Sequence, residues 1–168
     1  TSSPPQEFQP KLVEQCATAG VAVTFVPSLP KLAISGVTRW FGPERAAISL
    51  SLRYKTDDQL WFSFFHEACH ALEHKTTAIY LDAQGDPDKD PVERRANEYA
   101  RDLLIPPRDY ERLVAAGKPT LGAVQTFAKQ IGISPGIVVG RLQHEGVLPH
   151  NFGNQLKRKL QWGFEACP

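Results

Sequence analysis

Residues 58–74, DQLWFSFFHEACHALEH, run for about four turns without glycine or proline and are apolar almost all the way round. Leu60, Trp61, Phe62, Phe64, Phe65, Ala68, Ala71 and Leu72 cover nearly every side of the helix this segment predicts. A helix of that kind has no face for water, so the rest of the chain must wrap it. TDD (56–58) supplies N-cap candidates and negative charge for its positive end. Inside this greasy stretch stand His66-Glu67-Ala68-Cys69-His70, an HExxH pattern. Burying two imidazoles and a carboxylate is costly unless something pairs them.

The spacing says what would pair them. Residues four apart on a helix lie about 40° apart around the axis and one turn apart along it. Both imidazoles therefore reach one ion at about 2.0–2.1 Å, the usual zinc–nitrogen distance. Glu67, on the flank of that face, is too far round to be a ligand but is placed to take a proton from a water the metal acidifies. With five histidines in the chain, roughly one shuffled sequence in a hundred would contain the pattern by chance.

A hydrolytic zinc site needs a third protein ligand and an open fourth position. The extended motif with glycine and a third histidine is excluded, because Glu73 and Thr76 occupy those places. His74 shares the face of His66 and His70 but lies two turns from His66, beyond the reach of a common ion. Glu93, in VERRANEYARDLLIP (92–106), would complete a His2Glu set, with Asn97 on the same face. Spacing also allows another role for Glu93. Asp90 as N-cap, Pro91 at N1 and Glu93 at N3 make a capping box, and spacing alone does not choose between the two.

The surrounding chain predicts an α+β fold. Residues 1–10 are rich in Pro and Ser and read as a linker; 11–19 predict a short helix ended by Gly20. Strands are expected over 21–26, 29–41 and 46–54, with Gly42-Pro43 as a turn, and a short edge strand over 78–82. They would form a small, mainly antiparallel sheet packed on the HExxH helix. Helices over 92–104, 108–116, 120–131, 134–145 and 154–162 would follow as a bundle. At 168 residues, with 42% of them hydrophobic, the chain can bury a core. Its net charge of +1 gives little grip on nucleic acid. No apolar run is long enough to cross a membrane, and the N-terminus lacks a signal-peptide core. Cys16, Cys69 and Cys167 fit reduced thiols in a cytoplasmic protein. The absence of methionine suggests a piece of a longer protein.

Two segments together, FSFFHEACHALEH (62–74) and VERRANEYARDLLIPP (92–107), resemble the ImmA/IrrE family of metallo-endopeptidases. That family pairs an HExxH helix with a second helix of the form ExxANxFAxxLLxP. Here the second pattern runs from Glu93 to Pro106, with Tyr99 where Phe is common. LSLRYKTDD before the HExxH helix and the tail over 131–160 resemble the family too, so the likeness spans roughly 10–162. The resemblance implies a zincin-like metallopeptidase domain over 11–105 and a C-terminal helical subdomain over 106–168. It implies that His66, His70 and Glu93 bind zinc and that Glu67 is the base. The tail resembles members that follow a helix-turn-helix domain in HigA-like antitoxins and regulators. The family's usual target is a helix-turn-helix transcriptional repressor, cleaved or displaced under stress or during induction of a mobile element.

Weaker signals resolve towards packing. Residues 125–142 carry helix-turn-helix spacing, but Arg141 and Gln143 are the only evident base readers, so direct DNA binding is not expected. Lys157-Arg158-Lys159 reads as the solvated face of a helix, and Cys69 as a small packed side chain. Asp86–Asp90 imitates a calcium loop, but Pro91 and Asn97 stand where it needs glycine and glutamate. Tyr54, Tyr80, Tyr99, His144 and His150 are the candidates for stabilising an oxyanion. The leading function is a zinc-dependent endopeptidase; the alternative is a non-proteolytic sensor domain of a regulator or antitoxin that keeps the zinc.

Overall fold

The computed structural model describes residues 1–28, 34–51, 53–73, 80–81 and 90–161. Four strands form one sheet: β1 (Val21–Val26), β2 (Gly36–Trp40), β3 (Ala46–Ser51) and β4 (Tyr80–Leu81), in the order β1-β3-β2-β4. β2 runs antiparallel to β3 and β4, so the sheet is mostly antiparallel. β1, however, pairs with β3 in parallel, Val21 opposite Ala46 and Val26 opposite Ser51. Gly20 makes that approach feasible: its φ is +77°, and a Cβ there would lie 2.4 Å from the Glu44 carbonyl oxygen. β3 alternates strictly, with Ala46, Ile48 and Leu50 buried on one face.

The helix of residues Asp57–Glu73 lies across β2 and β3. α1 (Pro5–Thr18) is the first helix, so this one is α2. Its buried residues point all round the axis, and the Phe8 ring of α1 sits 5.0 Å from that of Trp61. α3 (Pro91–Leu104) packs along α2, its buried stripe being Ala96, Ala100 and Leu104 at four-residue intervals. Alanines there let the two backbones approach closely. α4 (Pro107–Ala115), α5 (Leu121–Ile131) and α6 (Pro135–His144) follow, and α6 packs back onto α2. Gly136 and Gly140 permit that contact. A Cβ on them would come within 2.6 Å of Asp57 Oδ1 and 2.5 Å of Asp58 Oδ2 respectively.

Three expectations need correction. The first helix starts at Pro5, not residue 11, and takes in half of the segment read as linker; Pro5 occupies its first turn, where a missing N–H is harmless. The helix expected over 154–162 is a single 3-10 turn, Asn154–Leu156, followed by extended chain through 160; Trp162 lies outside the described residues. That extended chain pairs with the start of α2. Leu160 N–H donates to the Lys55 carbonyl (2.8 Å) and Asp57 N–H to the Arg158 carbonyl (3.0 Å). Lys157-Arg158-Lys159 is therefore not a solvated helix face. Lys157 Nζ lies 2.7 Å from the buried Asp58 carboxylate, and the Arg158 guanidinium donates to the Ser2 and Ser3 carbonyls. Residues 29–33 of the expected 29–41 strand, His74, residues 86–89 of the calcium-like segment and Cys167 lie outside the described residues.

Candidate metal centre

α2 places His66 and His70 one turn apart on its α3-facing side, 6% and 1% exposed. α3 enters with Asp90 as its cap, accepting from Val92 N–H at 2.8 Å, and Pro91 at its first position. Asp90 thus does the capping alone, and the Glu93 carboxylate turns to the imidazoles. Glu93 Oε2 lies 3.1 Å from His66 Nε2, and Oε1 lies 3.4 Å from His70 Nε2. The two Nε2 atoms are 3.1 Å apart. A tetrahedron with bonds of about 2.0–2.1 Å has edges of about 3.3–3.4 Å. Two neutral imidazoles and a carboxylate at these separations fit a divalent cation, and among the described residues this is the group of side chains that does.

Electrostatics agree with a site awaiting positive charge. Burial disfavours the His66 imidazolium, but the hydrogen bond it donates to Glu93 and the charges of Glu67 and Glu93 outweigh it, so the His66 pKa is raised. Glu93 is held below the usual carboxylate range, first by its hydrogen bond to His66, against the opposing effect of burial. On the far side of the ring, His66 Nδ1–H donates to Asn97 Oδ1 at 2.9 Å. In the neutral ring that bond leaves Nε2 as the atom able to ligate, the arrangement a histidine ligand needs. Asn97's place on the Glu93 face was visible in the sequence; its bond to His66 was not.

Glu67 is 1% exposed. It faces β2, where Thr38 Oγ1–H donates to Glu67 Oε2 at 2.6 Å. A cleft of about 690 Å³ opens over His66, Glu67 and Glu93, walled by α2, α3 and α6. Tyr54 and His144 line it, whereas Tyr99 and His150 do not; the Tyr80 side chain lies outside what is described. Arg53, Arg94, Arg101 and Arg141, none of them anticipated as cleft residues, line it as well.

The residues singled out as base readers are turned inwards. Arg141 lies over the Tyr110 ring at 4.4 Å, pairs with Glu145 at 2.8 Å and donates to the Arg101 carbonyl. Gln143 donates to the His150 and Phe152 carbonyls. Cys69 is 1% exposed, and burial, aided by the Glu73 charge, pushes its thiol pKa up to about 11, as suits a packed side chain.

Residues 18–143, three quarters of the chain, match the IrrE N-terminal-like domain family. The chain belongs to that family. No curated protein matches it. The IrrE N-terminal-like region takes in the sheet, both helices of the His-His-Glu cluster and α6 almost to its end. No helix among the described residues is long and apolar enough to cross a membrane.

Proposed function

We propose that this chain is a zinc-dependent endopeptidase, with His66, His70 and Glu93 holding the metal and Glu67 acting as the base. The observation that carries this reading is the meeting of three donor side chains, with N···N and N···O distances of 3.1–3.4 Å, beside a buried glutamate that lines the adjoining cleft. Zinc supplies Lewis acidity and lowers the pKa of a coordinated water to about 7. The chain's own part follows from its geometry. Asn97 orients His66, and Glu93 neutralises one of the two positive charges brought in. Glu67 accepts the proton of the attacking water and returns it to the nitrogen of the leaving amine, so no proton is gained or lost over the cycle. The cleft volume is in the roughly 300–1,000 Å³ range of ligand sites and has room for a short stretch of extended peptide. In line with the family resemblance, the substrate is a helix-turn-helix repressor, and a DNA-binding domain on the N-terminal side of this chain is a partner of the same reading.

The test is to incubate zinc-loaded protein with a proteome-derived peptide pool and purified repressors, and to map new termini by mass spectrometry. Wild type should cut a defined set, and Glu67→Gln should lose at least about 100-fold in rate while keeping its zinc. Equal cleavage by the variant removes Glu67 from the mechanism. A zinc-loaded wild type that cuts nothing, with regulation surviving in Glu67→Gln, makes the chain a sensor instead.

A further inference from the structure

We infer that β2 is built as a seat for the base, with Thr38 as a positioning residue that holds the Glu67 carboxylate and Gly36 as the space it occupies. The inference rests on the peptidase reading above. Thr38 and Glu67 are each 1% exposed, so the Thr38 hydroxyl must find its partner within the protein. The Thr38 hydroxyl lies 2.6 Å from Glu67 Oε2 and 2.9 Å from the Glu67 carbonyl oxygen. It has one hydrogen to give, and the shorter, charge-assisted bond to the carboxylate is the stronger. Packing alone does not call for that hydroxyl, since valine has the same shape and suits a strand as well.

Gly36 lies two residues earlier and so on the same face of β2. A Cβ there would fall 2.5 Å from Glu67 Cγ, 2.7 Å from Oε1 and 2.9 Å from Cδ. Gly36 opens β2, and a glycine in a strand can mark a close approach. Here the group approaching is the Glu67 side chain, and Gly36 itself lines the cleft. Thr38 thus fixes Oε2, while Oε1 lies nearer Gly36. The arrangement suits both halves of the cycle, because Oε2 can accept the threonine hydrogen bond whether the carboxyl is ionised or protonated at Oε1. A glutamate has three rotatable bonds; held at one oxygen and walled by strand backbone, it keeps the orientation that proton transfer requires.

The experiment combines kinetics with a metal-independent measurement. Thr38→Val, Thr38→Ser and Gly36→Ala are assayed on the most rapidly cut peptide of the proteome-derived pool, with bound zinc measured on the same samples. Thr38→Val should lower kcat about 10- to 100-fold, with KM and zinc per chain within about twofold of wild type. Thr38→Ser should recover kcat to within about threefold, because the hydroxyl is restored. In zinc-free protein, a double-mutant cycle of Thr38→Val with Glu67→Gln should show coupling of about tenfold in the unfolding equilibrium constant. A kcat for Thr38→Val within twofold of wild type, or a loss that follows zinc or KM, overturns the inference, as does a cycle with no coupling. If zinc-loaded wild type cuts no peptide, the peptidase reading fails and the catalytic role of Thr38 with it. The cycle, needing neither zinc nor substrate, then reports separately whether the contact holds.

Discussion

Replacing Lys157 by methionine removes the cation from a buried pair and leaves the anion behind. Lys157 Nζ is 2.7 Å from Asp58 Oδ2, with side chains 14% and 4% exposed. Gly140 on α6 packs against the same carboxylate, a Cβ there falling 2.5 Å from Oδ2. Breaking a buried pair from one side costs about 3–5 kcal/mol, since the remaining charge is uncompensated. The lysine end of the pair touches water, so the low end applies, about 3 kcal/mol. For a domain of this size that is a fall in Tm of about 6–12 °C. The assay is urea and thermal unfolding followed by circular dichroism at pH 7. Asp58→Asn should cost less, about 1 kcal/mol, because the lysine left behind can extend its head to water. Asp58→Asn with Lys157→Met should return to within about 1 kcal/mol of wild type, having no orphaned charge. Zinc content should be unchanged at 25 °C, as His66 lies eight residues on, about 12 Å along the helix. A single-variant loss under about 1 kcal/mol, or a double variant no better than the single, would refute the reasoning.

Other consequences are testable in the same protein. Glu93→Ala should abolish stoichiometric zinc in elemental analysis, while Asn97→Ala should weaken zinc affinity about 10- to 100-fold by freeing the His66 ring; zinc unaffected by Glu93→Ala would leave that residue no role as a ligand. Asp57 titrates above its usual value, chiefly because it is buried. The native state therefore holds a proton that the unfolded chain has released, and wild-type stability falls as pH rises through the window between the two values. Asp57→Asn has no such proton, so its stability relative to wild type should improve from pH 3.5 to pH 7; an unchanged or worsening difference in urea unfolding would contradict the burial argument. Lys55 has a φ of +53°, a left-handed conformation costly for a side chain, and Lys55→Gly should raise stability by about 0.5–1 kcal/mol in the same assay.

The chemistry of the site was legible because it is local. HExxH is a spacing on one helix, and ExxAN is a spacing on another, so periodicity alone shows which side chains share a face. The cap at Asp90 was legible too, but the competing roles of Glu93 were separated only by the fold, which points its carboxylate at two imidazoles. Pairings distant in sequence left no such trace. β1 runs parallel to β3 because Gly20 lets its backbone pass Glu44 closely, and nothing in VAVTFV encodes that direction. Gly36 and Thr38 look like ordinary strand residues until α2 is laid across them. Residues 154–162 have helix-forming composition, but two buried carboxylates at the start of α2 and the open backbone groups of residues 55–57 draw residues 157–160 into extended pairing. Tertiary demand there overrode local preference.

That pairing also orders events in time. The chain emerges from the ribosome N-terminus first, so the HExxH helix and its Glu93 partner are synthesised long before residues 157–160. Until those last residues arrive, Asp58 has no lysine, Asp57 lacks the Arg158 N–H, and the Thr56 bridge to Lys159 cannot form. The start of the helix that carries His66 and His70 is therefore locked only after nearly the whole described chain has been made. A product terminated ten residues before Lys157 would carry His66, His70 and Glu93, but the first turn of the helix with the two histidines would hold Asp58 without its lysine.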